Sequence, residues 1–525
     1  MDESGRVRKA AGIVGAATLV SRILGYVRDM VVAAFFGAGY YSDVFIAAFR
    51  VPNLIRRLFA EGSLSMAFIP VFTEYLALRN EKEAFELARS ALRFLALFMV
   101  LLVLLGVLSA PLIVRGIAFG FAESTGKFEL TILLTRIMFP YVICICLVAL
   151  SMGILNALGH FAAPALAPVL LNVAMIGAVY LVSCFSTDST IRVIGLAVGV
   201  VAGGLLQLLL QVPFLIRNGI YFWRWAPLMH PGLRKIGRLL LPAVFGAGVY
   251  QVNVVISTFL ASLLAEGSVS YLYFADRLVQ FPIGIFAISI GTALLPSLAK
   301  QALSDDFEAV SRTFREALAL VFHIVLPSMV GLAVLSEPIV ALLFRRGAFD
   351  MSCVEKTSQA LICYCAGLWA IAAVRIVIPV FYSIQDTWTP VKTGFLSMIL
   401  NTVLGFLWMP VLGHGGLALA TSAASILNFG LLMHAFRKRF GPFGGMGLLK
   451  SIGRSAFCSV LMGWFVWQGS RWYDLKNCGN SKDLLVGIAG VVFLGISLYA
   501  AFSLVLKSPG GASFYNMMFR RGTRE

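Results

Sequence analysis

The sequence predicts an all-α, polytopic membrane protein, and three observations support this class. Of its 525 residues, 59% are hydrophobic and only 13% are charged, whereas soluble proteins carry about 25% charged residues. Apolar stretches of roughly 20 residues, the length of a spanning helix, recur along the whole chain. The 42 Lys and Arg residues lie mostly between or at the ends of these stretches and form no single patch. That distribution is typical of membrane topology and argues against a nucleic-acid partner.

Fourteen apolar stretches are long enough to be spanning helices. We place them near residues 10–36, 42–77, 90–117, 129–157, 161–184, 191–216, 237–264, 269–299, 313–344, 357–384, 390–411, 415–436, 451–469 and 483–506. Several exceed the thickness of a bilayer, so we expect tilted, kinked or protruding helices. Pro52 predicts a bend in the second stretch, because proline cannot donate its backbone hydrogen bond.

The distribution of basic residues predicts the orientation. With the N-terminus in the cytoplasm, the inner segments contain 25 Lys and Arg residues, the outer loops nine, and the membrane eight. Cytoplasmic segments are enriched in Lys and Arg, so we expect both termini in the cytoplasm. The basic start precedes an apolar run that Arg22 interrupts, without a clear cleavage site, which argues against a cleavable signal peptide.

An internal repeat predicts two related halves. The stretch LSAPLIV (108–114) recurs as LSEPIVA (335–341), and GHFAAP (159–164) corresponds to QDTWTP (385–390). The two shifts along the chain differ by a single position. An offset that spans an even number of helices gives two six-helix halves in the same orientation, as in transporters with the substrate site between their halves. The predicted domains are a six-helix lobe over 1–220, a second over 221–440, and two additional helices with the tail over 441–525.

The eight intramembrane arginines are the most informative residues. Each costs about 2.5–3.5 kcal/mol at the bilayer centre, so we expect them to face a polar cavity. Positions seven apart on a helix differ by about 20°, which places Arg22 and Asp29 on one face of the first helix. The same spacing places Arg50 and Arg57 on one face of the second helix, together with Asn53.

An anionic ligand is the binding partner that this charge pattern favours. Glu61 lies four residues beyond Arg57, close enough to pair with it. Arginines nevertheless outnumber the intramembrane acids, so mutual pairing leaves excess positive charge, and the guanidinium fork suits phosphate or carboxylate. The alternative is that these charges only hold helices together. We find no Walker, metal-binding or nucleophile motif and therefore expect no catalytic residue, metal or cofactor.

Three stretches closely resemble the bacterial MurJ (MviN) family of lipid II flippases, which belongs to the exporter superfamily that includes the MATE transporters. They are SRILGYVRD (21–29), FGAGYYSDVFIAAFRVPNLIRRLFAEGSLSMAFIPVF (36–72) and EGSVSYLYFADRLVQFP (266–282). The resemblance covers the whole chain and implies fourteen helices in the bacterial cytoplasmic membrane. It further implies export of lipid II, the undecaprenyl-pyrophosphate-linked disaccharide pentapeptide, from the inner to the outer leaflet. The membrane, lipid II and peptidoglycan synthesis proteins are the partners it implies.

The resemblance also assigns residues. The family's cavity residues match Arg22, Arg28, Asp29, Asp43, Arg56 and Arg277, which are thought to engage the pyrophosphate and the sugar–peptide head. A groove formed with the last two helices is thought to hold the lipid tail. Helical spacing adds Arg50, Arg57 and Glu61 to these residues. The expected substrate-binding set is therefore Arg22, Arg28, Asp29, Asp43, Arg50, Arg56, Arg57, Glu61 and Arg277.

The chain departs from its relatives at two places. Gln280 replaces a Glu that many relatives have three residues after the arginine of the eighth helix. Ser257 and Gly405 occupy the positions that best match the acids of a sodium site in some relatives, with Asn401 and Thr421 as remaining partners. This argues against sodium at that place and leaves the coupling ion or membrane potential open.

Alternating access of the two halves is the mechanism we expect. A flippase for another polyprenyl-pyrophosphate-linked glycan fits the same charge pattern. A MATE-type ion-coupled small-molecule exporter fits less well, because cationic substrates favour cavity acids. A purely structural membrane protein leaves the repeat and the intramembrane arginines unexplained.

Overall fold

The computed structural model describes residues 3–59, 63–304, 306–441, 445–473, 475 and 481–506. Within these residues the chain is almost entirely helical and contains no β-strand, which confirms the predicted all-α class. It divides into two compact units, Met1–Val269 and Ser270–Glu525. The lobe boundaries near residues 220 and 440 stay a prediction.

Ten α-helices are described in the first unit. They are α1 (Glu3–Phe36), α2 (Tyr40–Phe59), α3 (Ser63–Leu78), α4 (Glu81–Leu108), α5 (Ala110–Ile117), α6 (Lys127–Met138), α7 (Tyr141–Ala157), α8 (Ala162–Phe185), α9 (Ser189–Arg217) and α10 (Pro231–Ser262). A short 3₁₀ segment, Phe119–Glu123, joins α5 to the turn before α6.

Nine further helices are described from the end of the first unit onward. They are α11 (Ser268–Pro282), α12 (Ile288–Leu303), α13 (Phe307–Val334), α14 (Ser336–Phe344), α15 (Met351–Ser383), α16 (Trp388–Leu412), α17 (His414–Phe440), α18 (Gly445–Trp472) and α19 (Ser481–Val505). A π-helical turn, Ile283–Ala287, connects α11 to α12 after Pro282.

The predicted spans coincide with these helices, singly or in consecutive pairs. The predicted single helix over 90–117 is wrong, because α4 ends at Leu108 and α5 starts after Ser109. Pro111 cannot donate a backbone hydrogen bond and therefore suits the first turn of a new helix. The predicted helix over 313–344 divides in the same way at Leu335.

Ten helical segments are long and apolar enough to cross a membrane within the part of the chain that the structure describes; two of them are the consecutive pairs α6–α7 and α11–α12. The charged α1 and α2 and the 16-residue α3 are not among them. The total of fourteen spans therefore stays a prediction. Pro52 lies buried inside α2, and the bend expected there stays a prediction too.

The helix bounds repeat with the offset found in the sequence. Helices α4 and α13 have the same length, 28 residues, and begin at Glu81 and Phe307. Helices α8 and α16 begin at Ala162 and Trp388, which are separated by the same shift along the chain. The motifs LSAPLIV and LSEPIVA both lie at the break that follows the longer helix. Two helix pairs, α4 with α13 and α8 with α16, therefore recur at the sequence offset, with one member of each pair in each unit.

The last two helices of the second unit pack against α13 through a polar cluster. The Tyr499 hydroxyl of α19 donates to the His323 carbonyl at 2.7 Å and lies 3.0 Å from His323 Nδ1. Ser455 Oγ of α18 lies 3.5 Å from the same nitrogen. All three residues are buried, and apolar side chains including Met462 and Val466 surround the contact between α18 and α19. A buried polar cluster fixes the register of packed helices, because any shift leaves its groups unsatisfied.

Tyr499→Phe is expected to lower the free energy of unfolding by about 1–3 kcal/mol, because the variant leaves the buried His323 groups without the hydroxyl. Thermal unfolding of the detergent-solubilised protein measures this change. Tyr473→Phe is the matched control, since Tyr473 is exposed. An equal loss in both variants would contradict the role assigned to the cluster.

Candidate functional site

A small cavity of the first unit brings two of the predicted arginines together. Arg50, Asn53 and Arg57 of α2 line it with Gln251 of α10. In this conformation it is partly open and its free volume is about 10 Å³, room for roughly one water. This confirms that the three α2 residues share one face. Gln251 is only 7% exposed, and its amide adds a donor and an acceptor beside the two guanidinium groups. Such a set of donors fits an oxyanion.

The sequence of α2 explains how this face is held. The first half of the helix is largely buried and mostly apolar after Asp43. Phe45, Phe49 and Tyr141 of α7 form a row of ring contacts at 5.8 and 6.1 Å between centroids. The second half carries the arginines. The apolar half therefore anchors α2 in the unit and projects its polar half toward α10.

Arg56 is positioned by the same helix. Its Nε donates to Asn53 Oδ1 at 3.0 Å. Asn53 thus lines the cavity and also orients Arg56, one helical turn away. The described residues end at Phe59 in this region, so the predicted partner Glu61 lies outside them.

The charges of α1 form a buried network with α8. Arg28 donates through Nε and Nη2 to Asp29 Oδ1, at 3.1 and 2.7 Å. Its Nη1 donates to Asn172 Oδ1 at 3.3 Å, and the Asn172 amide in turn donates to the Ser21 carbonyl at 3.2 Å. Arg22, by contrast, is exposed although it shares the helical face of Asp29. Arg28 therefore holds Asp29, and Asn172 joins both to α8.

Asp43 lies in a buried ion pair at the start of α2. Its Oδ2 accepts from Lys127 Nζ at 3.0 Å and from the Gly267 amide at 2.8 Å. Asp43 is 1% and Lys127 3% exposed. Gly267 has φ +89°, a conformation that favours glycine. The pair therefore joins α2, α6 and the turn before α11 within the first unit.

Aromatic rings and a second carboxylate surround this ion pair. Lys127 Nζ lies 4.3 Å from the centroid of Phe121, a cation–π distance. Glu266 Oε1 accepts from the Tyr40 amide at 3.0 Å. The residues come from four separate segments of the chain, which is why the sequence alone does not indicate that Asp43 and Lys127 meet.

The second unit holds the remaining predicted arginine. The guanidinium carbon of Arg277, on α11, lies 5.8 Å from the centroid of Tyr273. Gln280 Nε2 lies 3.4 Å from Asp276 Oδ1. On α16 and α17, Thr421 Oγ1 donates to Asn401 Oδ1 at 3.3 Å, so these two oxygen-bearing residues contact each other.

Sequence reasoning missed three residues of these networks: Asn172, Gln251 and Lys127. Asn172 and Gln251 are amides inside apolar stretches, so their unfavourable burial was a signal available in the sequence. The basic-residue count places Lys127 in an outer loop, two residues before the predicted span 129–157. Lys127 is instead the first residue of α6 and is buried.

The chain is similar to proteins of one family over nearly its whole length. A family model described as "Lipid II flippase MurJ" matches residues 32–476. A probable lipid II flippase MurJ from Vibrio cholerae serotype O1 is 38% identical over 514 residues, which cover 96% of this chain and 97% of that protein. A lipid II flippase MurJ from Burkholderia cenocepacia is 35% identical and covers 91% and 94%.

Solved structures give the same result for the fold. A lipid II flippase MurJ in an inward closed conformation superposes with a TM-score of 0.79 at 26% identity, covering 97% of this chain and 99% of that one. An inward-facing multidrug resistance MATE family transporter of the MOP superfamily gives a TM-score of 0.69 at 14% identity, with coverage of 83% and 99%. The second likeness concerns the fold alone.

Proposed function

This chain belongs to the lipid II flippase MurJ family, and on that basis we propose that it carries lipid II from the inner to the outer leaflet of the bacterial cytoplasmic membrane. Flipping makes and breaks no covalent bond, so the protein acts as a transporter. The polar head of the lipid faces a prohibitive cost in hydrocarbon. A polar path through the protein removes that cost while the polyprenyl tail stays in the membrane.

The observation that carries the proposal in molecular terms is the cavity lined by Arg50, Asn53, Arg57 and Gln251. A pyrophosphate offers several oxygens to guanidinium forks and amide donors at once. Arg50 and Arg57 are therefore proposed as direct ligands of the pyrophosphate, with Gln251 as a neutral donor. A neutral donor limits the excess positive charge, so the head group is able to leave on the far side.

The other predicted residues divide into two groups. Arg22, Arg56, Glu61 and Arg277 are proposed to contact the head group during transport. Arg28, Asp29 and Asp43 are proposed as positioning residues, because each lies in a charged contact with a neighbouring side chain. Both termini are proposed to be cytoplasmic, and transport is proposed to proceed by alternating access.

Depletion of the protein in a cell with no second flippase tests the function. We expect newly made lipid II to accumulate in the inner leaflet, where externally added enzymes or probes do not reach it. Restoration by the plasmid-borne gene is the control for indirect effects. Normal outer-leaflet labelling after depletion would contradict the proposal.

A purified-protein assay tests the substrate class. Proteoliposomes with fluorescent lipid II are compared with proteoliposomes that contain a different polyprenyl-pyrophosphate-linked glycan. Faster flipping of lipid II is the expected result. Faster flipping of the other glycan would assign the chain a different lipid-linked substrate.

A further inference from the structure

The linker between α9 and α10, together with the helix ends beside it, places basic residues and exposed tryptophans at one end of the first unit. The stretch 217–238 contains five basic residues and no acidic one. Trp223 is 67% and Trp225 78% exposed, and Met229 is exposed as well. Exposed aromatic side chains next to basic ones are typical of a membrane–water interface. The basic-residue pattern predicts that this end faces the cytoplasm.

Two contacts hold the linker in place. Arg93 Nη1 of α4 donates to the Ala226 carbonyl at 3.0 Å. The guanidinium carbon of Arg224 lies 4.6 Å from the centroid of Tyr221, whose ring is 5.3 Å from that of Trp223. The linker is therefore pinned to α4, with Arg224 over the ring of Tyr221.

A third arginine completes the cluster. Arg89 lies one helical turn before Arg93 on α4. Burial lowers the pKa of its guanidinium group, Glu86 opposes this shift, and the charges of Arg224 and Arg93 add to it. Arg89 Nε is buried and has no hydrogen-bond partner. Clustered like charges and a buried unsatisfied donor both cost free energy. A phosphate placed among the three guanidinium groups relieves both costs.

We propose that Arg89, Arg93 and Arg224 bind the phosphate of an anionic phospholipid headgroup at the cytoplasmic surface of the membrane. Trp223 and Trp225 then lie in the interface beside the bound lipid. These exposed apolar side chains favour a lipid over a free phosphate ion, which gains nothing from them. Clusters of Lys and Arg at the cytoplasmic membrane surface attract anionic lipids in this way. The site shares no residue with the α2 cavity and does not rest on the proposed function.

The test uses the purified full-length protein in detergent, titrated with phosphatidylglycerol and followed by native mass spectrometry. Zwitterionic phosphatidylcholine, which has a phosphate but no net charge, is the reference. The double variant Arg89→Gln/Arg224→Gln is expected to weaken phosphatidylglycerol binding by about ten- to thirty-fold. Arg224 is exposed, so the single variant Arg224→Gln keeps the fold and should still lose several-fold in affinity.

The matched control is Lys82→Gln/Arg217→Gln, which removes two charges from exposed positions at the same end of the unit. Parental affinity in this control and weaker binding in the double variant support the site. Equal losses in both would show diffuse surface attraction and overturn it, as would parental affinity in the double variant. Competition by millimolar inorganic phosphate, with no preference for phosphatidylglycerol over phosphatidylcholine, would overturn the assignment to a lipid.

Discussion

Replacing both Arg50 and Arg57 with glutamine is expected to slow lipid II flipping by roughly 100-fold or more. Each guanidinium group offers charge-assisted hydrogen bonds worth about 1.5–3 kcal/mol to a phosphate, and the two side chains line one cavity. Glutamine keeps polar side chains at both positions but removes both charges. The measurement is the flipping rate of fluorescent lipid II in proteoliposomes at equal protein content.

The control separates a binding role from a structural one. Arg136 is also an arginine of a predicted span, but it is exposed and its Nε lies 3.3 Å from the Val107 carbonyl. Arg136→Gln is therefore expected to flip lipid II at nearly the parental rate. If the Arg50/Arg57 double variant accumulates and unfolds like the parent protein, its slower flipping is a defect in transport and not in folding. A double variant that fails to accumulate, or that flips at the parental rate, would contradict the assignment.

The α2 cavity shows how much of a binding site helical periodicity can predict. Arg50, Asn53 and Arg57 belong to one uninterrupted helix, so the 3.6-residue repeat alone determines that they share a face. The partner residue Gln251 lies far along the chain, on α10. No local pattern relates it to α2, because their contact depends on how whole helices pack.

The same distinction explains the rest of the fold. The offset between the two halves recurs in the helix bounds because local breaks, such as those before Pro111 and Pro338, terminate helices wherever they occur. The pairing of Arg28 with Asp29 is a contact between neighbours and follows from adjacency. The link from Arg28 to Asn172 on α8, however, requires tertiary packing, and the sequence gives only an isolated amide as a hint.

Lys127→Met is expected to lower the free energy of unfolding by about 3–5 kcal/mol, the usual cost of removing one partner from a buried ion pair. Asp43 and Lys127 are both almost fully buried, so water does not replace the lost ammonium group. The Gly267 amide remains as a donor to Asp43, but one neutral donor does not balance a buried carboxylate. Thermal unfolding of the detergent-solubilised variant measures the loss.

The double variant Asp43→Asn/Lys127→Met decides whether the unpaired charge causes that loss. Asparagine keeps an oxygen for the Gly267 amide and removes the charge, so most of the stability should return, because replacing both members of a buried pair is often nearly neutral. If the double variant is as unstable as Lys127→Met, the loss comes from packing around α6 and not from Asp43. Flipping by a stable double variant then tests the role of Asp43. Near-parental transport fits a positioning residue, whereas stability without transport would make the carboxylate itself part of substrate handling.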